Sequence, residues 1–263
     1  MRKLLTTISI LFFPNFITRV LLNLLGHKIH PTAYVGFSVM MCRKIYMDAD
    51  TRIGHFNLIQ INKLLMRQAA YIKSTNRIRG DLSVMMGREA VIANGNSIFR
   101  ASSPITYGNG TLKLGRLGII VSKHRLDVTR SITIGDFTTI GGLGTQFWTH
   151  GYYHGAEGKD RIRIDGEIIV GNNVYVGTSC TFNPGVQVAD AINIGSNVCV
   201  SRSLKKSGMY VAQPLRYIEK NVAEIRDKLD EVVGVSLVEE VYEKKILPIA
   251  TSKKKMAYEQ TST

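Results

Sequence analysis

Residues 168–200 read IIVGNNVYVGTSCTFNPGVQVADAINIGSNVCV, and this stretch decides the fold. From Val170 every sixth residue is apolar: Val170, Val176, Phe182, Val188, Ile194 and Val200. Each is followed by a small or turn-forming residue: Gly171, Gly177, Asn183, Ala189, Gly195 and Ser201. The chain is 44% apolar, so six of six in one register arises by chance at roughly 0.7%. A period of six fits neither a helix nor the simple alternation of a strand. It suits a chain that turns a corner every six residues. Three hexads then close one triangular coil, with the apolar residue pointing to the axis and coils stacking at about 4.8 Å. Small residues beside the apolar position ease the corner.

The period extends upstream through Val35, Met41, Met47, Ile53, Ile59 and Leu65, and in shorter pieces through Met86, Ile92, Ile98 and through Ile134, Ile140. Slips near 71, 104 and 125 predict loops or irregular turns. A solenoid exposes strand edges at its ends, so caps are expected there. At the C-terminal end, Ile218, Val222, Ile225, Leu229 and Val232 recur at helical spacing with charges opposite, which predicts an amphipathic helix over about 216–233. A second helical piece is expected over 236–246, before Pro248. Residues 248–263, with Lys253-Lys254-Lys255, read as a solvated tail.

At the other end, Met1-Arg2-Lys3 precedes the apolar run Leu4–Phe13, which Pro14 stops. The run is too short to span a bilayer, and no small-residue cleavage site follows it. Phe16, Val20, Leu21, Leu24 and Leu25 continue at helical spacing to Gly26. Residues 4–25 are therefore predicted to be apolar helical structure, either packed on the domain or inserted shallowly at a membrane surface. The organisation expected is 1–26 helical, 27–215 solenoid with a loop at 152–163, 216–247 helical, and 248–263 tail.

The 263 residues carry a formal charge of +14, which attracts anions. Zinc-finger spacing, an aromatic RNA-binding signature and a helix-turn-helix pattern are all missing, so nucleic acid is not the expected partner. Cys42, Cys180 and Cys199 are odd in number, distant, and set in apolar runs; they read as small buried hydrophobes in a reducing compartment.

The segment 168–200 resembles the hexapeptide-repeat acyltransferases, a family of left-handed parallel β-helices, and is most similar to its sugar and surface-polysaccharide O-acetyltransferases. The match is strongest at Gly171-Asn172-Asn173-Val174-Tyr175-Val176-Gly177 and Asn183-Pro184-Gly185-Val186. Upstream, FWTHGYYHG at 147–155 is similar to the family's Thr-His segment, which opens a loop before the final coils. The likeness covers 131–218 clearly and 27–100 through the period alone. Gly151 stands where the family has Pro, and Ser201-Arg202-Ser203-Leu204 where it has Gly-Ala-Gly-Ser. Ala212-Gln213-Pro214 replaces its Gly-x-Pro.

The resemblance implies a mainly β left-handed solenoid, assembled as a homotrimer with acyl-CoA sites between subunits. It implies transfer of an acetyl group from acetyl-CoA to a sugar hydroxyl, with a bacterial surface polysaccharide or its precursor as the acceptor. Such a hydroxyl is a poor nucleophile at neutral pH and needs a base, for which histidine is suited. His150 would be that base, with direct transfer and no acyl-enzyme. His154, four residues on, is its rival or an accessory group. Glu157 and Asp160 are candidates to orient the imidazole. Gly177 and Thr178 are candidate oxyanion donors. Tyr175, Gly177, Thr178 and Gly195 would line the acyl-CoA arm, and Arg202, Lys205, Lys206 and Arg216 its phosphates. Trp148, Tyr152 and His154 would contact the acceptor.

His150 and His154 are too few for catalytic zinc unless His124 or a neighbouring subunit adds a third, and no metal is expected. Two alternatives stand beside the main reading: N-acetylation of an amino sugar, and a non-catalytic scaffold or carbohydrate-binding solenoid. The expected location is the cytoplasm, with peripheral contact at the inner membrane as the functional reading of the N-terminal helix.

Overall fold

The computed structural model describes residues 2–101, 106–154, 156, 161–212, 229–231 and 242–244. Two compact units divide the chain, Met1–Gln213 and Pro214–Thr263. In the first, three parallel sheets of eight, nine and eight strands make the faces of a triangular solenoid. Lys28–Ile29 lies on the first face, Tyr34–Val35 on the second and Val39–Met40 on the third; Lys44–Met47 then returns to the first face beside Lys28–Ile29. These are the triangular coils expected from the hexads, in the left-handed parallel β-helix that the resemblance implies. Val170, Val176, Phe182, Val188, Ile194 and Val200 all point inward and are at most 3% exposed. Phe147 and Phe182, neighbours in successive coils, stack with ring centroids 4.4 Å apart.

Upstream the register is looser. Met41 and Leu65 lie at the periphery while Met40 and Met66 take the interior places. The reason is coil length: the stacked partners Ile53 and Ile72 are 19 residues apart, and Ile72 and Ile92 are 20 apart. Extra residues on the way round shift the inward set by one. Cys199 also departs from expectation. Cys42 and Cys180 are buried, and burial pushes the Cys42 thiol up to about 12, but Cys199 is exposed because Val200 holds the interior position of that strand.

The corners also differ from expectation. Between the first and second faces the positive-φ residue of successive coils is Asp50, Ala69, Glu89, Leu117, Phe137, Asn173 and Ala191. None is glycine, although this conformation costs an L-residue roughly 1–2 kcal/mol. Repetition of one corner geometry keeps the hydrogen-bond ladders in register, which offsets that cost. The corner from the third face back to the first has no such regular residue. The long connections from Phe99 to Gly110 and from Phe147 to Ile168 both start at the end of a third-face strand and finish at the start of a first-face strand.

Inside the corner between the second and third faces runs a polar ladder that the hexads do not announce. Ser38 Oγ accepts the N–H of Asn57, Asn57 Oδ1 that of Asn76, Asn76 Oδ1 that of Asn96, and Asn96 Oδ1 that of His124. His124 Nδ1 accepts from Thr145 N, and Thr145 Oγ1 from Cys180 N. Each buried amide thereby finds a partner one coil away. Burial lowers the His124 pKa to about 4, so it sits in the ladder as a neutral ring.

The N-terminal segment forms two helices, α1 (Arg2–Phe12) and α2 (Asn15–Leu24), separated at Pro14. Proline lacks an N–H and pushes the preceding residue out of helical conformation, so the apolar run cannot continue as one helix. The pair caps the first coil with polar side chains. Asn23 exchanges hydrogen bonds with the backbone of Ile29, Arg19 donates to Ala33 O, Asn15 to Val35 O and Thr7 to Met40 O. Every face of the first coil thus has its open edge met by a side chain from the helices. Thr6 Oγ1 lies 3.0 Å from His27 Nε2, while His27 Nδ1 accepts from Ile45 N. Burial, with Arg2 and Lys44 nearby, lowers the His27 pKa to about 4. Ile10 and Leu22 join the core, while most other apolar side chains of the pair point outward: Leu4, Phe12, Phe13, Phe16, Val20 and Leu24 are exposed, Phe12 by 75% and Leu24 by 79%.

In the second unit, Leu229–Glu231 pairs antiparallel with Tyr242–Lys244. These strands fall within the segments where helical spacing predicts helices. The rest of 216–247 and the tail 248–263 lie outside the described residues.

Candidate active site

The long excursion at the third corner begins with Gln146–Phe147 on the third face, followed by Trp148, Thr149 and His150. His150–His154 then pairs antiparallel with Arg161–Asp165, forming a hairpin arm with His150 opposite Asp165 at its base. Arg163 grips Asp165 through two bonds of 2.6 and 3.0 Å, which stiffens the returning strand. Gly166 then approaches the Gly185 backbone too closely for any side chain, bringing the arm back onto the next coil.

His150 Nδ1 lies 2.7 Å from Asp127 Oδ2. Asp127 belongs to the preceding coil, and its side chain is fully buried while that of His150 is 25% exposed. Four groups besides the imidazole surround this carboxylate. Thr129 N and Oγ1 donate to Oδ1 at 3.1 and 2.6 Å, Thr149 N donates to Oδ2 at 3.2 Å, and Thr149 Oγ1 lies 3.0 Å from Oδ2. A buried carboxylate held this way is an acceptor of fixed direction. It assigns the proton of the neutral imidazole to Nδ1, leaving the Nε2 lone pair as the basic site.

Asp127 thus holds the orienting position for which the sequence offers Glu157 and Asp160; those two lie outside the described residues. No signal in the linear sequence joins residues 127 and 150. The one available hint is an aspartate in an otherwise apolar strand run, Leu126-Asp127-Val128.

His154 is exposed and tilted against Tyr152, with ring centroids 6.2 Å apart; Tyr152 in turn meets the edge of His150. His154 therefore sits away from the Asp127 pair, on the open arm. Trp148 donates to Gln146 Oε1 and stands edge-on to Phe99, and the Arg125 guanidinium covers both rings. His124 is committed to the internal ladder. Among the described residues no three His, Cys, Asp or Glu side chains converge to hold a metal.

The candidate acyl-CoA residues are dispersed over the coils. Asn183-Pro184-Gly185 is the corner beside the His150 arm, with Pro184 facing Gly151. Gly177 and Thr178 occupy the previous corner, stacked on Gly142 and Leu143, one face away from His150. The Gly177 N–H is bonded to Ile194 O and the Thr178 hydroxyl to Leu143 O, so Gly177 cannot be an oxyanion donor as expected. A hexad is one face long; residues one hexad apart lie on adjacent corners rather than one above the other. Tyr175 is half-exposed, and its hydroxyl packs against Gly141. The Gly195 N–H is bonded to Tyr210 O. Arg202 is exposed at the third corner, two coils beyond His150, at about 10 Å along the axis. Lys205 and Lys206 are exposed at the following corner, and Arg216 lies outside the described residues.

No protein-family model matches the chain. A 65-residue stretch, 25% of the chain, is 28% identical to a probable macrolide acetyltransferase of Lysinibacillus sphaericus. The match spans 36% of that relative, little more than a third of its length. Among solved structures, the polySia-specific acetyltransferase NeuO is 14% identical over 75% of this chain and 83% of its own, with a TM-score of 0.34. AntD, an N-acyltransferase from Bacillus cereus in complex with dTDP and 3-hydroxybutyryl-CoA, is 14% identical over 77% and 84%, with a TM-score of 0.32. A maltose O-acetyltransferase from Clostridium difficile 630 is 14% identical over 83% of each chain, with a TM-score of 0.26. The chain is a hexapeptide-repeat β-solenoid. Identities and superpositions this low transfer no activity, so the chemistry of the solenoid rests on its own residues.

Proposed function

We propose that the solenoid is an acetyl-CoA-dependent O-acetyltransferase acting on a carbohydrate hydroxyl, in a bacterial surface polysaccharide or its precursor. The observation that carries this reading is the His150–Asp127 pair at the base of the arm. His150 Nε2 takes the proton of the acceptor hydroxyl as its oxygen attacks the thioester carbonyl. The tetrahedral intermediate collapses, the carbon–sulfur bond breaks, and the thiolate receives the proton from the imidazolium. Asp127 holds the ring direction and balances its transient charge. The Thr149-His150 motif and the short likeness to a probable macrolide acetyltransferase support the same reaction class.

Within one chain, the Tyr175–Thr178 corner is a face away from His150. A homotrimer in which a neighbouring copy carries the coenzyme arm to the imidazole completes the site. The test is incubation with labelled acetyl-CoA and an extracted surface glycan. Label should enter the glycan and be released by hydroxylamine. Label resistant to hydroxylamine indicates an amide and N-acetylation, and absence of transfer together with absence of stabilisation by acetyl-CoA indicates a scaffold.

The cap supports a peripheral location at a membrane surface. The α1–α2 pair bonds the solenoid through hydroxyl and amide side chains and leaves an apolar face outward, flanked by exposed Arg2, Lys3 and Lys28. No helix among the described residues is long and apolar enough to cross a membrane. An apolar stripe with basic flanks suits shallow insertion into an anionic bilayer surface. Phosphatidylglycerol vesicles should sediment the protein, phosphatidylcholine vesicles should not, and the triple change Phe12→Ser, Phe16→Ser and Leu24→Ser should release it. If the triple variant still sediments, or changes oligomeric state instead, the face is not a membrane contact.

A further inference from the structure

A groove of about 930 Å³ lies on the third face, over the strands Arg77–Arg79, Ser97–Phe99 and Arg125–Asp127. Its walls carry Lys3, Arg77, Arg79, Arg100 and Arg125 against one acid, Asp81. That acid is already hydrogen-bonded to Asn62. The guanidinium groups of Arg77 and Arg79 have no hydrogen-bond or ion-pair partner among the described residues. Arg100 is only 7% exposed, and its terminal nitrogens donate to the neutral carbonyls of Asp81, Tyr107 and Gly108 while its Nε has no partner among the described residues. Guanidinium groups that outnumber the carboxylates beside them repel one another, and burying one without a counter-charge is costly. An anion from outside the chain would relieve both.

The register shows where such an anion would lie. Arg77, Ser97 and Arg125 occupy one row across three coils. The short Ser97 leaves a notch between two arginines spaced by about 10 Å. The next row runs Arg79, Phe99 and Asp127, and Asp127 is the partner of His150. Arg125 lies on the rings of Phe99 and Trp148, and Trp148 is two residues before His150. The cationic groove and the base therefore share one face. An anion at the Ser97 notch lies two coils from the His150 level, about 10 Å along the axis, which is within the reach of a short oligosaccharide.

We propose that this groove binds the acidic part of the acceptor, a carboxylate- or phosphate-bearing glycan. Arg77, Arg79 and Arg125 hold the anion, and Phe99 and Trp148 stack the sugar that leads to the base. This rests on the acetyl-transfer reading of His150 and names its substrate class.

The groove can be tested by binding alone, apart from turnover. An oligogalacturonate supplies carboxylates, tripolyphosphate supplies phosphates, and maltohexaose is the neutral control. The full chain should bind at least one anionic probe, with affinity falling steeply as salt rises, and should bind maltohexaose at least tenfold more weakly. The relative affinities of the two anionic probes identify the acidic group. The double change Arg77→Ser, Arg79→Ser, which leaves Arg125 and Trp148 in place, should weaken the anionic probe at least tenfold with unchanged stabilisation by acetyl-CoA. Equal binding of neutral and acidic probes, or undiminished anion binding by a folded double variant, overturns the proposal. So does loss of acetyl-CoA stabilisation in that variant, which would assign the groove to the coenzyme. If the anions bind as expected but no acetyl group is transferred, the groove stands and the catalytic reading falls.

Discussion

Replacing His150 by alanine is expected to lower kcat/KM for acetyl transfer by about 10²–10⁴-fold, the usual contribution of a positioned general base. The imidazole is the group that can accept the hydroxyl proton at the base of the arm, and its Nδ1 is engaged by Asp127. The substitution removes the base and leaves the coil intact, because the 150 side chain is not part of the inward apolar set. Acetyl-CoA should still raise the melting temperature of the variant, since the coenzyme candidates lie on other corners or, for Arg202, two coils away. Labelled acetyl transfer, measured with the melting curve, checks both halves. Wild-type turnover in the variant would remove His150 from the mechanism.

The second large effect is expected at Asp127→Asn, a change that conserves shape and removes charge. Thr129 offers two donors to one oxygen of Asp127, and the Thr149 N–H and the imidazole offer donors to the other. An amide can present oxygen to only one side. Oriented with its oxygen toward Thr129, it turns its NH₂ toward His150 and forces Nδ1 to become an acceptor. The ring proton then moves to Nε2, and the basic lone pair faces the wrong way. A loss of about 10²–10⁴-fold in kcat is expected. Nitrogen-15 NMR of the imidazole should show the proton shifting from Nδ1 to Nε2, a change that general loss of packing would not produce. The carboxylate variant Asp127→Glu should restore the wild-type tautomer. Full activity in a folded Asp127→Asn variant would reduce Asp127 to a structural role.

His150 stands out in the sequence because it sits in a short local pattern, Thr149-His150, just before the strictest hexads. Asp127 does not, because its relation to His150 is through stacking. Coils here repeat at 18, 19, 20 or more residues and carry insertions at the third corner, so no constant spacing links a residue to the one lying against it. The same uncertainty explains Gly177. Its place after an apolar hexad residue is read correctly as a corner, but which corner it shares with His150 depends on counting every intervening turn. Asn57, Asn76 and Asn96 are spaced by 19 and 20 residues, and their ladder becomes visible only when those intervals are known to be coil lengths.

The N-terminal segment shows a different boundary between the two kinds of information. Helical periodicity and the break at Pro14 are local properties, set by backbone sterics and side-chain spacing. Which side of the helices meets the solenoid is not local. The first coil presents open backbone edges, which need donors and acceptors more than they need apolar surface, so Thr7, Asn15, Arg19 and Asn23 face inward and the phenylalanines face out.

The sequence alone determined the repeating unit and the inward apolar set of the last coils, because each rests on neighbours within a few residues, and its resemblance to a family pointed to the candidate base. The tertiary structure alone decided the carboxylate that bonds the His150 imidazole, the corner from which that ring projects, and the arginine groove on its face. Those depend on which residues the stacking of coils brings together, and a stack with unequal turns keeps that information out of any linear spacing.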